Sequence, residues 1–319
     1  MGNDTASGRR IAMTLLDIRQ LTLSFSQYSG LFRRRTVESI HRLELSLGAG
    51  RLVAVVGSSG SGKSLLAHAI MGLLPRNASL AGEMLYKGEP LTPRRQEQLR
   101  GTSLMLIPQS VDYLDPLMRV GSQVTGAGGG HKGEQLDRIF RRYGLEERVK
   151  RLYPHQLSGG MAKRVLTAAA TLGEAELIIA DEPTSGLGTQ QAAAAVGRLR
   201  ELADQGAGVL IITHDLEAVV DWADQIAVFY AGTIVELAPA RRFAGDGSQL
   251  RHPYSRALWD ALPRNGFTVL PGSQPLPGER ASGGCPFQPR CLLATPSCGR
   301  QHPPRQRDEE GWVRCIHAT

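Results

Sequence analysis

The sequence predicts an α/β fold whose core is a parallel, doubly wound sheet, joined to an antiparallel sheet, a helical part and a cysteine-bearing tail. Three observations predict it. The apolar runs LVAVV (52–56), LIIA (177–180), VLIIT (209–213) and IAVFY (226–230) read as strands buried on both faces. Helical stretches such as 190–204 separate them, and β and α elements that alternate in this way build parallel sheets. Upstream, residues 15–47 alternate apolar and polar side chains in short runs, LTLSF and HRLELSL, with the period of two expected of half-buried antiparallel strands.

Taken in order, residues 1–13 form a tail and 14–245 the main domain. Helical patterning dominates 134–172, within a helical subdomain spanning about 100–170. The segment GAGGGHKG (126–133) reads as a flexible joint inside it. Pro and Gly crowd 263–284, so an extension is expected over 246–319, ending in a loop-rich cysteine module after Gly278. A chain of 319 residues is long enough for one large domain and such an appendage.

Composition narrows the function classes. No apolar run approaches the ~18 residues of a membrane-spanning helix, and the apolar stretch at 11–16 is too short for a secretion signal. The expected compartment is the cytosol. The net charge of +7 is scattered, and its densest cluster, Arg33, Arg34 and Arg35, suits a solvated or headgroup-facing loop better than a nucleic-acid site. No nucleic-acid partner is expected.

Residues 57–64 read GSSGSGKS, between the strand LVAVV and the helix-compatible run LLAHAIMGLL. This is the P-loop pattern in its required context: glycines let backbone N–H groups wrap phosphates at a helix N-terminus, Lys63 neutralises β/γ charge, and the Ser64 hydroxyl ligates Mg²⁺. The site takes in Gly57, Ser58, Ser59, Gly60, Ser61, Gly62, Lys63, Ser64 and Leu65. LIIADE places Asp181 and Glu182 at the end of a buried strand, where open α/β sheets gather ligands. Asp181 is expected to hold Mg²⁺, and Glu182 to polarise the attacking water as general base.

Between these motifs lies LSGGM (157–161), opening a helix whose N-terminus can face an anion. With it the chain resembles the ATP-binding-cassette family over about residues 15–262, which implies that family's P-loop NTPase fold. The resemblance implies that Ser158, Gly159 and Gly160 contact the γ-phosphate held by an opposing subunit, so that ATP joins a dimer. It also implies roles for Gln109, which senses Mg²⁺ and touches membrane subunits, and for His214, which contacts the γ-phosphate. The family stacks adenine on an aromatic residue upstream of the P-loop, and Tyr28 and Phe32 are both candidates.

The finer resemblance is to the oligopeptide, dipeptide and nickel importer branch. It rests on YPHQLSGGM (153–161), ADEPTSGL (180–187), YLDPLMRVGSQV (113–124) and HPYSRALWDALP (252–263). It implies a peripheral ATPase at the cytoplasmic membrane face, paired as a heterodimer with an SGGQ-type ATPase and serving two transmembrane permease subunits and an extracytoplasmic binding protein. The implied cargo is a di- or oligopeptide; the alternatives are nickel or a metal chelate and, in a different class, a soluble cassette acting on nucleic acid. One departure is Gly188, where the family has Asp after SGL, so the two ATP sites are expected to be unequal.

All four cysteines, Cys285, Cys291, Cys298 and Cys315, lie in the last 35 residues, separated by five, six and sixteen residues. A cytosolic redox poise argues against structural disulfides, and four thiolates on a loop-rich tail can converge on one metal or cluster. The resemblance implies a 4Fe–4S cluster. Zinc, with His302 and His317 available, and metal-free cysteines are the alternatives.

Overall fold

The computed structural model describes residues 13–29, 33–126, 133–173, 175–275 and 283–318. The glycine joint expected at 126–133 falls mostly outside them, as do Phe32 and Gly278.

The chain opens with two long strands, β1 (Thr14–Ser29) and β2 (Arg33–Gly48), paired antiparallel. Their inward positions, among them Leu16, Ile18, Leu21, Leu23, Leu43 and Leu45, are buried with a period of two that is reset between Ile18 and Leu21, where the register shifts. Strand β3 (Leu52–Val56) follows, buried at every position, and delivers the chain to helix α1 (Lys63–Met71). Next, β4 (Ala78–Tyr86) returns to pair with β1, and β5 (Glu89–Pro90) pairs with β4. The four-stranded antiparallel sheet therefore runs β2-β1-β4-β5.

Helix α2 (Pro93–Leu99) leads to β6 (Leu104–Ile107). Three helices then form the helical part: α3 (Val120–Gly126), α4 (Gly133–Arg142) and α5 (Gly159–Leu172). Leu114, Val120, Phe140, Tyr143, Val165 and Leu172 belong to an apolar cluster of its own there. Where helical patterning runs unbroken in the sequence, 3-10 turns at Glu147–Arg151 and Pro154–Gln156 intervene. Gly144, at φ 62°, and Pro154 mark the breaks.

The core continues through β7 (Leu177–Asp181), α6 (Thr189–Asp204), β8 (Gly208–Thr213), α7 (Leu216–Val219), β9 (Gln225–Tyr230) and β10 (Thr233–Pro239). Strands β9, β3, β8, β7 and β6 lie side by side and parallel. Most of their residues are fully buried, and each enclosed Val, Leu or Ile contributes about 1.5–3 kcal/mol.

The chain beyond β10 stays on this core. Buried Glu236 of β10 accepts from the backbone N–H groups of Arg251 (3.0 Å) and His252 (2.9 Å), where α8 (Pro253–Asp260) begins. Strands β11 (Gln306–Arg307) and β12 (Trp312–Val313) then extend the main sheet beyond β10, completing the order β11-β12-β10-β9-β3-β8-β7-β6. Ion pairs of Arg314 and Arg305 with Glu44 of β2 tie the C-terminal segment to the antiparallel sheet as well. Among the described residues no helix is long and apolar enough to cross a membrane.

Candidate nucleotide site and cysteine cluster

The P-loop spans the gap between the end of β3 and the start of α1. Gly57 is required by close approach: a Cβ there would stand 2.2 Å from the Phe229 carbonyl oxygen of β9. Gly62 is required by conformation, with φ 98° at the N-cap of α1. The open first turn of α1 then offers backbone N–H groups to an anion. Lys63 is buried, and its ammonium donates to the carbonyls of Gly57 and Ser58, each at 2.8 Å. Burial lowers its pKa, against the pull of nearby Glu182 and Asp181.

Strand β7 brings up the carboxylates. Asp181 accepts from Ser64 Oγ at 3.0 Å, and burial raises its pKa. Glu182 is 7% exposed and has φ 49°, a left-handed backbone uncommon outside glycine. Its N–H donates to the Ile212 carbonyl at 2.7 Å, which fixes this conformation to β8. The end of β8 supplies two partners: Thr213 Oγ1 donates to Glu182 Oε2 at 3.1 Å, and His214 Nδ1 lies 2.9 and 3.0 Å from the two carboxylate oxygens. Lys63, Ser64, Asp181, Glu182 and His214 thus converge at the carboxyl ends of three adjacent parallel strands.

The other expected site residues stand apart from this cluster. Gln109 is exposed beyond β6, with no hydrogen bond to Ser64 or Asp181 among the described residues. Ser158 caps α5, its Oγ accepting from Met161 N–H at 3.2 Å. Ser158 and Gly159 are exposed, and a Cβ at Gly159 or Gly160 would meet nothing within 4 Å, so this helix N-terminus is open to an incoming anion. Gly188 is the exposed N-cap of α6 with open space around it, and its φ of −69° suits any residue. Tyr28, at the end of β1, is 71% exposed.

The four cysteines are free and line one small cavity together with His252 and His317. Cys298 Sγ lies 3.5 Å from His317 Nε2. Burial, and then the neighbouring Cys315, Cys298 and Cys291, push the Cys285 thiol up to about 11. His302 takes another place, stacked on His41 at 5.5 Å. Among the described residues no set of three or more His, Cys, Asp or Glu is gathered at metal-holding distance.

Comparison with known proteins agrees with this geometry. Residues 40–185 match the family described as ABC transporter, and residues 235–298 match the oligopeptide/dipeptide transporter C-terminal region. The oligopeptide transport ATP-binding protein OppD of Salmonella typhimurium is 36% identical over 322 residues, covering 95% of this chain and 93% of that one. The chain belongs to the ATP-binding-cassette transporter family, in its oligopeptide/dipeptide branch. The dipeptide transport ATP-binding protein DppD of Escherichia coli is 35% identical over 311 residues, covering 91% and 92% of the two chains. Among solved structures, an ATP-binding subunit of an ABC transporter aligns with TM-score 0.59 at 25% identity, over 72% of this chain and 92% of that one. The dimeric post-hydrolysis cassette MJ0796 aligns with TM-score 0.62 at 23% identity over 71% and 99%, a likeness of fold.

The cassette is therefore an ATPase, as the sequence motifs lead one to expect. Sequence reasoning missed three of its neighbours: Thr213, which donates to Glu182, and Tyr254 and Gln274, which reach Ser58 from the extension. Thr213 had a usable signal, since it precedes His214 at the end of an apolar strand. Gln274 had none.

Proposed function

We propose that this cassette energises import of di- or oligopeptides, working at the cytoplasmic membrane face with a second, SGGQ-type ATPase, two permease subunits and an external binding protein. Similarity to peptide-transport ATP-binding proteins that runs through both the cassette and the extension carries this reading. MgATP is the substrate. Lys63 exchanges its two loop carbonyls for β- and γ-phosphate oxygens, an electrostatic contribution that is strong in a buried site. Ser64 and Asp181, whose side-chain oxygens lie 3.0 Å apart, would hold Mg²⁺, and Gln109 would be the further ligand from the loop after β6. Glu182 takes a proton from the attacking water, while Thr213 and His214 orient its carboxylate. Ser158, Gly159 and Gly160 cover the γ-phosphate on the partner's P-loop, and Gly188 lacks the carboxylate that would help, so that composite site is the weaker one. The test is the ATPase rate of the complex co-purified from membranes with its binding protein, across short peptides and nickel chelates. Stimulation by peptides is expected; stimulation by nickel alone would move the motor to metal uptake.

We also infer that residues 246–319 hold a 4Fe–4S cluster on Cys285, Cys291, Cys298 and Cys315. Four cysteines lining one cavity are the donor set such a cluster takes, and binding it would draw their thiols together. A further support is His252: its Nδ1 accepts from Tyr254 N–H at 3.0 Å, leaving Nε2 as the protonated nitrogen, buried and without a partner. Burial lowers the pKa of this imidazole to about 3, so it stays neutral. It lines the same cavity as the four cysteines, where a donor free to turn to a bound sulfur is available. When bound, the cluster supplies a covalent knot for a module with little core of its own. Anaerobically purified chain should contain about four irons and four sulfides; zinc in their place, or neither metal, would overturn this assignment.

A further inference from the structure

The extension touches the phosphate-binding loop itself. Ser58 Oγ donates to Gln274 Oε1 at 2.5 Å, and the Tyr254 phenol lies against the same serine, whose side chain and backbone pull its pKa down against the burial that raises it. Tyr254 belongs to α8 and is 4% exposed, its ring 4.4 Å from that of Tyr230 and 5.4 Å from that of Phe287. Phe287 lies two residues beyond Cys285. Arg290, which precedes Cys291, donates to the Tyr230 hydroxyl at 3.4 Å and to the carbonyls of Leu270 and Pro271 at 3.3 and 2.8 Å. One module therefore supports both arms, an aromatic one ending at the Tyr254 hydroxyl and a loop ending at Gln274.

Both arms end where they bear on nucleotide. Ser58 supplies one of the two carbonyls that hold Lys63, and Gly57 beside it is seated against the Phe229 carbonyl. The leading edge of the P-loop is thus anchored on one side by β9 and on the other by the extension. An anchored loop loses less conformational freedom when phosphate arrives, which tightens binding without any new contact to the ligand.

We propose that Tyr254 and Gln274 are positioning residues for ATP: acting through Ser58, they fix the leading edge of the P-loop, so that the C-terminal extension sets the affinity of the cassette for nucleotide. The proposal rests on the P-loop as the ATP site and is independent of the cargo and of what the four cysteines hold. Neither residue is among those assigned to phosphate or Mg²⁺.

The test is equilibrium titration of the full chain with a fluorescent ATP analogue and Mg²⁺, comparing wild type with Gln274→Ala, Tyr254→Phe, Ser58→Ala and the Ser58→Ala/Gln274→Ala pair. Gln274→Ala and Tyr254→Phe are each expected to weaken binding about 3- to 10-fold, the scale of one hydrogen bond, with thermal midpoints within about 2 °C of wild type. Gln274→Ala should cost nothing further in the Ser58→Ala background. Unchanged affinity in both single variants would overturn the proposal, as would full additivity of Ser58→Ala with Gln274→Ala, which would place the action of Gln274 elsewhere. A wild-type chain that fails to bind the analogue would overturn it together with the P-loop reading, whereas a binding wild type with unchanged variants overturns it alone.

Discussion

Glu182→Gln is expected to lower ATP turnover of the assembled complex by about 10²- to 10⁴-fold, the range a positioned general base contributes, while the ATP-bound pair of ATPases accumulates. The amide keeps the shape of the side chain and one acceptor oxygen for Thr213 or His214, but loses the charge and basicity that a proton-taking group needs. Binding should survive, because the groups that hold phosphate and Mg²⁺ are Lys63, Ser64 and Asp181. Glu182 raises the pKa of Asp181, so its neutralisation leaves Asp181 more readily ionised for the metal. Phosphate release reads the first effect, and the size of the complex with ATP reads the second. Turnover like wild type would remove Glu182 from the mechanism. The residual rate also reports on Gly188: two equal, independent sites would leave half the activity, whereas a weak composite site leaves almost none.

The parts of this cassette that are legible in its sequence are those whose signals are local. Strands β3, β7, β8 and β9 are enclosed on both faces and therefore read as unbroken apolar runs, and the P-loop, the acidic pair and LSGGM are contiguous motifs. Strand β10 is equally buried, yet it carries Glu236 at its centre, which reads as a solvated position. Its carboxylate is satisfied by two backbone N–H groups about fifteen residues on, at the start of α8. Strand β12 pairs with β10 across some 75 residues, and Ser58 meets Gln274 across 216; neither partnership leaves a trace in the local pattern. Half of strand β4, whose positions are mostly exposed, has no alternation to detect. The site was legible for the same reason the core was, and its ties to the extension were hidden because they are made by single polar side chains on loops.

Gly57→Ala is expected to weaken ATP binding by about 100-fold or more, a loss on the scale of overpacking a rigid site. A methyl group at this position would lie 2.2 Å from the Phe229 carbonyl oxygen, 3.2 Å from its carbon and 3.4 Å from the Phe229 Cβ. That backbone cannot yield cheaply: Phe229 is fully buried in β9, which is hydrogen-bonded to β3 on one side and β10 on the other. The loop has to move instead. Its displacement pulls Ser58 away from Tyr254 and Gln274 and carries off the two carbonyls that hold Lys63, so the ammonium and the N–H groups of the loop no longer share one phosphate-sized focus. The global cost should stay within about 1–3 kcal/mol of stability, because the strand order around the loop is unchanged. Titration with an ATP analogue and denaturant unfolding of the same variant separate the two effects. Nucleotide affinity within threefold of wild type would show that β9 does not hold the loop, and would remove one of the two anchors on which its preorganisation depends.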